Sequence, residues 1–156
     1  MFPADFLVLD RISCQNPAAS KKRILEEIGR LLASSTPELT GEQIFEKLLE
    51  RERLGSTGLG QGIALPHARI EGIEQARGAL VQLQSGIQFD AIDDHPVDLV
   101  FGLMVPQNAT REHLQLLAEL ASLFSNQEFC ARLREARDRH SLLNEILQRE
   151  EIAQSA

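Results

Sequence analysis

The sequence predicts an α/β fold: a single-domain sandwich in which a mixed parallel and antiparallel β-sheet carries helices on both faces. Three observations predict it. Residues 97–105 are apolar apart from Asp98, as a central strand covered on both faces requires. Apolar residues at helical spacing recur before and after that run. Strand-like segments lie between the helical ones, and such interleaving builds layered α/β structures.

Each element has a local reason. Residues 6–9 read as a short first strand. Ser20 is an N-cap for a first helix, whose Ile24, Leu25, Ile28, Leu31 and Leu32 follow helical spacing. Ser34-Ser35-Thr36-Pro37 ends it. Thr40 and Gln43 form the signature of a capping box for a second helix, which runs to about Leu54. Its inner stripe is Ile44, Phe45, Leu48 and Leu49. A glycine-rich turn follows. Ile63, Ala64 and Leu65 then read as a short buried strand, and Pro66 fixes the backbone before His67. Residues 79–83 are a further strand, and Pro106 closes the central one. A third helix is expected over 110–124, with shorter ones over 127–136 and 141–149.

The totals exclude several functions. A chain of 156 residues suits one domain, and one of this size buries roughly two-thirds of its unfolded surface. The net charge of −7 repels phosphate backbones, which speaks against nucleic-acid binding. With seven Phe, no Tyr and no Trp, the usual platform for stacking bases is thin. Cys14 and Cys130 form no CxxC pair and no signal peptide precedes them, so reduced thiols in a cytoplasmic protein are expected. No apolar run approaches the ~20 residues that cross a bilayer, so no membrane insertion is expected.

The chemistry concentrates in Gly55-Ser56-Thr57-Gly58-Leu59-Gly60-Gln61-Gly62 and the His67 that follows. Glycine takes positive φ without strain, so this segment can bend sharply and admit a close approach. It is not a Walker loop, for no Lys follows the glycines, and its spacing is not that of a dinucleotide fingerprint. HExxH and GxSxG are absent. A neutral imidazole at His67 can serve as nucleophile, base or ligand; a turn histidine that caps backbone groups is the plainer alternative. His113 falls in the first turn of the third helix, on one face with Leu117, Leu120 and Phe124. It reads equally as a core histidine or as a group at an anion-attracting helix N-terminus. Arg51 continues the Ile44–Leu48 stripe at the end nearest the glycine loop. Its guanidinium could hold a phosphate by paired hydrogen bonds, or pair with Glu50, Glu52 or water. Arg69 could meet an anion or a partner's carboxylate. His95 and His140 read as exposed, and Arg53 as a surface charge. A metal site on His67 and His113 would need a third ligand such as Asp98 or Glu112.

Arg51 to His67 fits the pattern R-E-x-x-G-S-T-G-x-G-x-G-x-A-x-P-H at every fixed position. In this it resembles the active-site segment of phosphotransferase-system (PTS) enzyme IIA domains of the fructose/mannitol type, EIIA type-2, and within them the nitrogen-regulatory branch. Asp98 to Phe101, Val105-Pro106 and Thr110 to Leu117 with His113 also fit, and the resemblance spans about 6–147. It implies a phosphoryl relay within one domain over 1–156. An HPr-like, nitrogen-branch phosphocarrier would hand a phosphoryl group to His67, the tele-phosphohistidine. His113 and Arg51 would stabilise it. Gly58, Gly60, Gly62 and Arg69 would form the docking surface, the glycines leaving room for two proteins to meet. No metal or other cofactor is implied. Output would go to regulatory targets such as sensor kinases or potassium transporters, or, in a sugar-specific relative, to a separate IIB. A binding regulator whose phosphorylation is vestigial is the reading from another class.

Overall fold

The structure, a computed structural model, describes residues 2–155, with side chains through 150. Strand β1 is Ile12–Asn16, followed by helices α1 (Lys21–Ala33) and α2 (Gly41–Arg53). Three short strands come next: β2 (Gly58–Gly60), β3 (Ile63–Ala64) and β4 (His67–Ile70). The long strands β5 (Arg77–Ile87) and β6 (Val97–Pro106) lead into α3 (Thr110–Phe124), α4 (Gln127–Glu135) and α5 (Arg139–Ser155).

The start signals act as their chemistry requires. The Ser20 hydroxyl accepts from the Arg23 amide. In the capping box the Gln43 amide donates to Thr40 Oγ1 at 3.1 Å, and the Thr40 amide donates to Gln43 Oε1 at 2.8 Å. Both helices bury the expected stripe, with Ile24, Leu25, Ile28, Ile44 and Leu48 fully enclosed and Phe45 and Leu49 half-buried.

The sheet runs β1-β5-β6-β3-β2, with β4 also paired to β6 beyond β3. β1 lies parallel to β5, and β3 and β4 parallel to β6, while β5 and β6 are antiparallel, so the sheet is mixed. Along β6, Leu99, Phe101, Leu103 and Val105 face α3, α4 and α5. Val100 and Met104 face α1 and α2. This period of two on a strand with both sets buried explains why 97–105 is apolar throughout.

Three expectations need correction. Residues 6–9 are not a strand. Asp5 has φ 58° and the Phe6 amide bonds back to the Pro3 carbonyl, so the chain turns there and passes through a 3-10 turn, Leu9–Arg11. Phe6 is apolar because it plugs the core at 2% exposure. The strand is the more polar Ile12–Asn16. In α3, Leu116 is the enclosed member of the stripe, and Leu117 is half-buried. The last helix starts at Arg139, two residues before the expected 141, so His140 lies in its first turn.

Candidate functional site

The glycine segment is a hairpin. Gly60 pairs with Ile63, leaving Gln61-Gly62 as a two-residue loop with φ 57° and 85°. Two positive φ values are what a type I′ turn demands, and Gly at the second is the common solution. Beyond β3, Pro66 offers no amide but its carbonyl accepts from the Leu103 amide, so the path beside β6 resumes as β4. On β4, Ala68 and Ile70 are buried toward α1 and α2. Alternation therefore sets His67 and Arg69 on the other side of the strand.

Both nitrogens of the His67 ring have partners, and these define its tautomer. Nδ1 lies 2.9 Å from the Leu65 carbonyl oxygen, which can only accept, so Nδ1 carries the proton. Nε2 then presents its lone pair, toward which Arg51 Nε–H donates at 3.3 Å. Arg51 is steadied by a second bond, from Nη1 to the Gly55 carbonyl at 3.0 Å. Burial lowers the His67 pKa below the usual histidine value. The Leu65 carbonyl and Glu52 oppose the shift, and the Arg51 charge adds to it. The ring is neutral at pH 7.

His113 projects from the first turn of α3, its ring centroid 5.4 Å from that of His67. It is 7% exposed, and its Nδ1 has no hydrogen-bond partner among the described residues. Burial, then the charges of His67, Arg69 and Arg51, push its pKa down to about 4. Such a depressed value has a consequence for stability. Below pH ~6.5 the unfolded chain takes a proton on this side chain that the folded protein refuses. Stability is thus whole above pH ~6.5 and is lost as pH falls toward 4. The open hollow beside the ring screens part of this, leaving on the order of 1–2 kcal/mol. Urea midpoints from pH 7 down to 4.5 should fall more steeply for the parent than for His113→Gln.

The hollow in front of these rings has a volume of about 500 Å³ and is lined by Lys47, Arg51, Leu54, His67, Arg69 and His113, among others. A hollow of about 510 Å³ on the outer side of α2, between Leu39, Phe45, Leu49 and Ile70, contains no histidine. Chemistry rather than size therefore marks the first as the candidate site. Arg69 is exposed and reaches Thr110 Oγ1 at 3.4 Å. α3 opens there with no side-chain cap on its first amides.

The hairpin is pinned to its own chain. The Gln61 amide donates to Asp93 Oδ2 at 2.9 Å, and its carbonyl accepts from Arg134 Nη2 at 2.8 Å. Arg134 also forks onto Asp98, with Nε–Oδ2 at 2.9 Å and Nη2–Oδ1 at 3.0 Å. A Cβ on Gly62 would lie 2.5 Å from Arg134 Nη2 and 2.8 Å from Asp98 Oδ1. A Cβ on Gly60 would meet Asp93 and one on Gly58 would meet Ala91. The room these three glycines make is thus filled by residues of the same chain.

The arrangement gathers Arg51, His67, His113 and Arg69. It leaves out His95 and His140, both exposed, and Arg53, which is also exposed. Asp98 belongs to the Arg134 fork and Glu112 is exposed. Among the described residues no three His, Cys, Asp or Glu side chains are grouped as metal ligands. Sequence reasoning missed Glu52. Its carboxylate is buried and holds Thr57 and Lys21 rather than Arg51. The signal was its fixed place in the motif beside Arg51.

Four likenesses to known proteins stand beside this geometry. The family model for the phosphoenolpyruvate-dependent sugar phosphotransferase system, EIIA 2, matches residues 5–149. The nitrogen regulatory protein of Pseudomonas aeruginosa is 48% identical over 120 residues, covering 77% of this chain and 78% of that protein. The crystal structure of nitrogen regulatory protein IIA-Ntr from Neisseria meningitidis aligns with TM-score 0.84 at 42% identity, over 90% of this chain and 95% of that one. That of IIA mannitol from Escherichia coli aligns with TM-score 0.73 at 25% identity, over 89% and 97%.

Proposed function

This chain belongs to the phosphotransferase-system EIIA type-2 family, and on that premise we propose that it is a phosphoryl carrier that accepts its group on His67 Nε2. The donor is an HPr-like phosphocarrier of the nitrogen branch, and the output is regulatory. One observation carries the reading: the Leu65 carbonyl ties the proton to Nδ1, which leaves the Nε2 lone pair facing the hollow beside Arg51.

The step balances without a base. The donor's N–P bond breaks and its electron pair stays on the donor ring. The Nε2 lone pair forms the new N–P bond while Nδ1 keeps its proton. Positive charge developing on the His67 ring is met by the Leu65 carbonyl. Arg51 Nε–H lets go of the lone pair and turns to the phosphoryl oxygens, where the charge of a loose transition state is concentrated. His113 supplies a further ring nitrogen to the same oxygens. Catalysis is alignment and charge stabilisation by groups that already line the hollow, Arg51 needing only to turn from Nε2 to the oxygens.

We assign docking to the rim of the hollow, at Arg69 and Leu54, which is 85% exposed, and extend it to the hairpin backbone with Gly58, Gly60 and Gly62, which lies outside the hollow. The names of the Pseudomonas and Neisseria relatives favour a regulatory output, for which we propose targets such as sensor kinases or potassium transporters. The likeness to E. coli IIA mannitol favours a second reading, transfer to a separate IIB. No helix among the described residues is long and apolar enough to cross a membrane; we place the relay in the cytoplasm.

Mass spectrometry after incubation with the phosphorylated carrier tests the proposal. One phosphoryl group should be gained at neutral pH and lost in acid. No gain would overturn the reading, and onward transfer to purified IIB would establish the sugar-specific alternative. Equal target recovery by His67→Ala and His67→Asp would instead mark a binding regulator indifferent to phosphorylation.

A further inference from the structure

We propose that Glu52 is a positioning residue for the His67 ring, acting through Thr57 and Leu65. The inference rests on the reading of Nε2 as the phosphoryl acceptor. Glu52 is 6% exposed, yet both carboxylate oxygens are engaged. Oε1 accepts from the Thr57 amide at 2.9 Å and from Lys21 Nζ at 2.8 Å, and Oε2 accepts from Thr57 Oγ1 at 2.7 Å. The Thr57 carbonyl in turn accepts from the Leu65 amide at 3.0 Å, and the Leu65 carbonyl holds His67 Nδ1 at 2.9 Å. A continuous run of hydrogen bonds therefore leads from α2 to the proton of the acceptor ring.

The neighbour of Glu52 completes the argument. Arg51 approaches Nε2, so two consecutive residues at the end of α2 serve the two nitrogens of one ring. Consecutive helical residues point about 100° apart. One can thus reach over the strand edge to Nε2 while the other reaches the hairpin base. A carboxylate suits the second task because it is acceptor-only and can take three donors at once. A glutamine at 52 brings donors of its own and cannot satisfy Thr57 and Lys21 together. The Thr57 hydroxyl joins the same oxygens from the hairpin side, so its removal loosens the path without touching α2.

The test reads the ring directly. Imidazole ¹⁵N–¹H correlation spectra of the unphosphorylated protein give the His67 tautomer, and uptake from the phosphorylated carrier gives the rate. The parent and Thr57→Ser should show Nδ1–H alone. Glu52→Gln and Thr57→Val should admit the Nε2–H form and lose about 10-fold to 100-fold in rate, with the half-saturating carrier concentration unchanged. A core variant of matched stability loss, Val81→Ala, should keep the parental tautomer. Folded Glu52→Gln and Thr57→Val proteins with parental tautomer and rate would overturn the proposal. If Glu52→Gln does not fold, the Thr57 variants decide alone. A parent that takes up no phosphoryl group would sink the carrier reading instead, while the tautomer spectra would still decide the role of Glu52.

Discussion

Replacing His67 by alanine is expected to give a folded protein that takes up no phosphoryl group. The ring is half-buried at the start of β4 and bonds to the Leu65 carbonyl and to Arg51. Losing it leaves that carbonyl to solvent in an open hollow, so the cost in stability should stay near 1 kcal/mol. The effect on transfer is total because no other nitrogen occupies the same place: among the described residues no carbonyl holds His113 Nδ1, and that ring is more deeply enclosed. Arg51→Ala should behave differently. It should still be labelled on His67, but about 100-fold more slowly, the usual result of removing one preorganised donor from a developing anion. Quantitative labelling by the phosphorylated carrier, with thermal melts alongside, checks both variants. Labelling of His67→Ala at the parental level would refute the assignment.

Gly62→Ala is expected to carry the largest structural cost of any single methyl group near the site. At φ 85° an alanine is strained by roughly 1–2 kcal/mol. The new Cβ would also displace Arg134 Nη2 and Asp98 Oδ1, which stand 2.5 and 2.8 Å from its position. Opening that fork frees the Gln61 carbonyl and unpairs a half-buried carboxylate. Together these should cost roughly 2–4 kcal/mol. For a chain of this size the melting temperature should fall by about 5–15 °C. Calorimetry on the variant checks the sum. A double variant with Arg134→Ala should lose less than the two single changes added, since both act on one contact.

Much of the fold was legible because local and global demands agree. Ser20 and Thr40 cap the helices they were expected to start, and the apolar stripes of α1 and α2 are the faces that pack. The central strand was legible because burial on both faces leaves no polar alternation to read. The first strand was misplaced for the converse reason. Phe6 is apolar because its ring packs against Phe2 and Phe101 from within a turn, whereas Ile12–Asn16 is partly solvated and reads as loop. Of the hairpin only β3 was legible, as the buried strand at Ile63 and Ala64; β2 went unread because three residues, two of them Gly, are too few for a period of two to show.

By itself the sequence determined the chemical inventory: one imidazole after a glycine-rich turn, an arginine at the end of a capped helix, and a second histidine at the start of another. It could do so because spacing along a helix or strand is a local property of the chain. Only the tertiary structure decided which carbonyl holds the His67 proton, that Glu52 serves Thr57 rather than Arg51, and that the glycines make room for Asp93, Ala91 and the Asp98–Arg134 fork. These contacts join residues brought together by the order of strands in the sheet. That order is settled by how two buried faces close over β5 and β6, a property of the packed whole that no stretch of sequence carries.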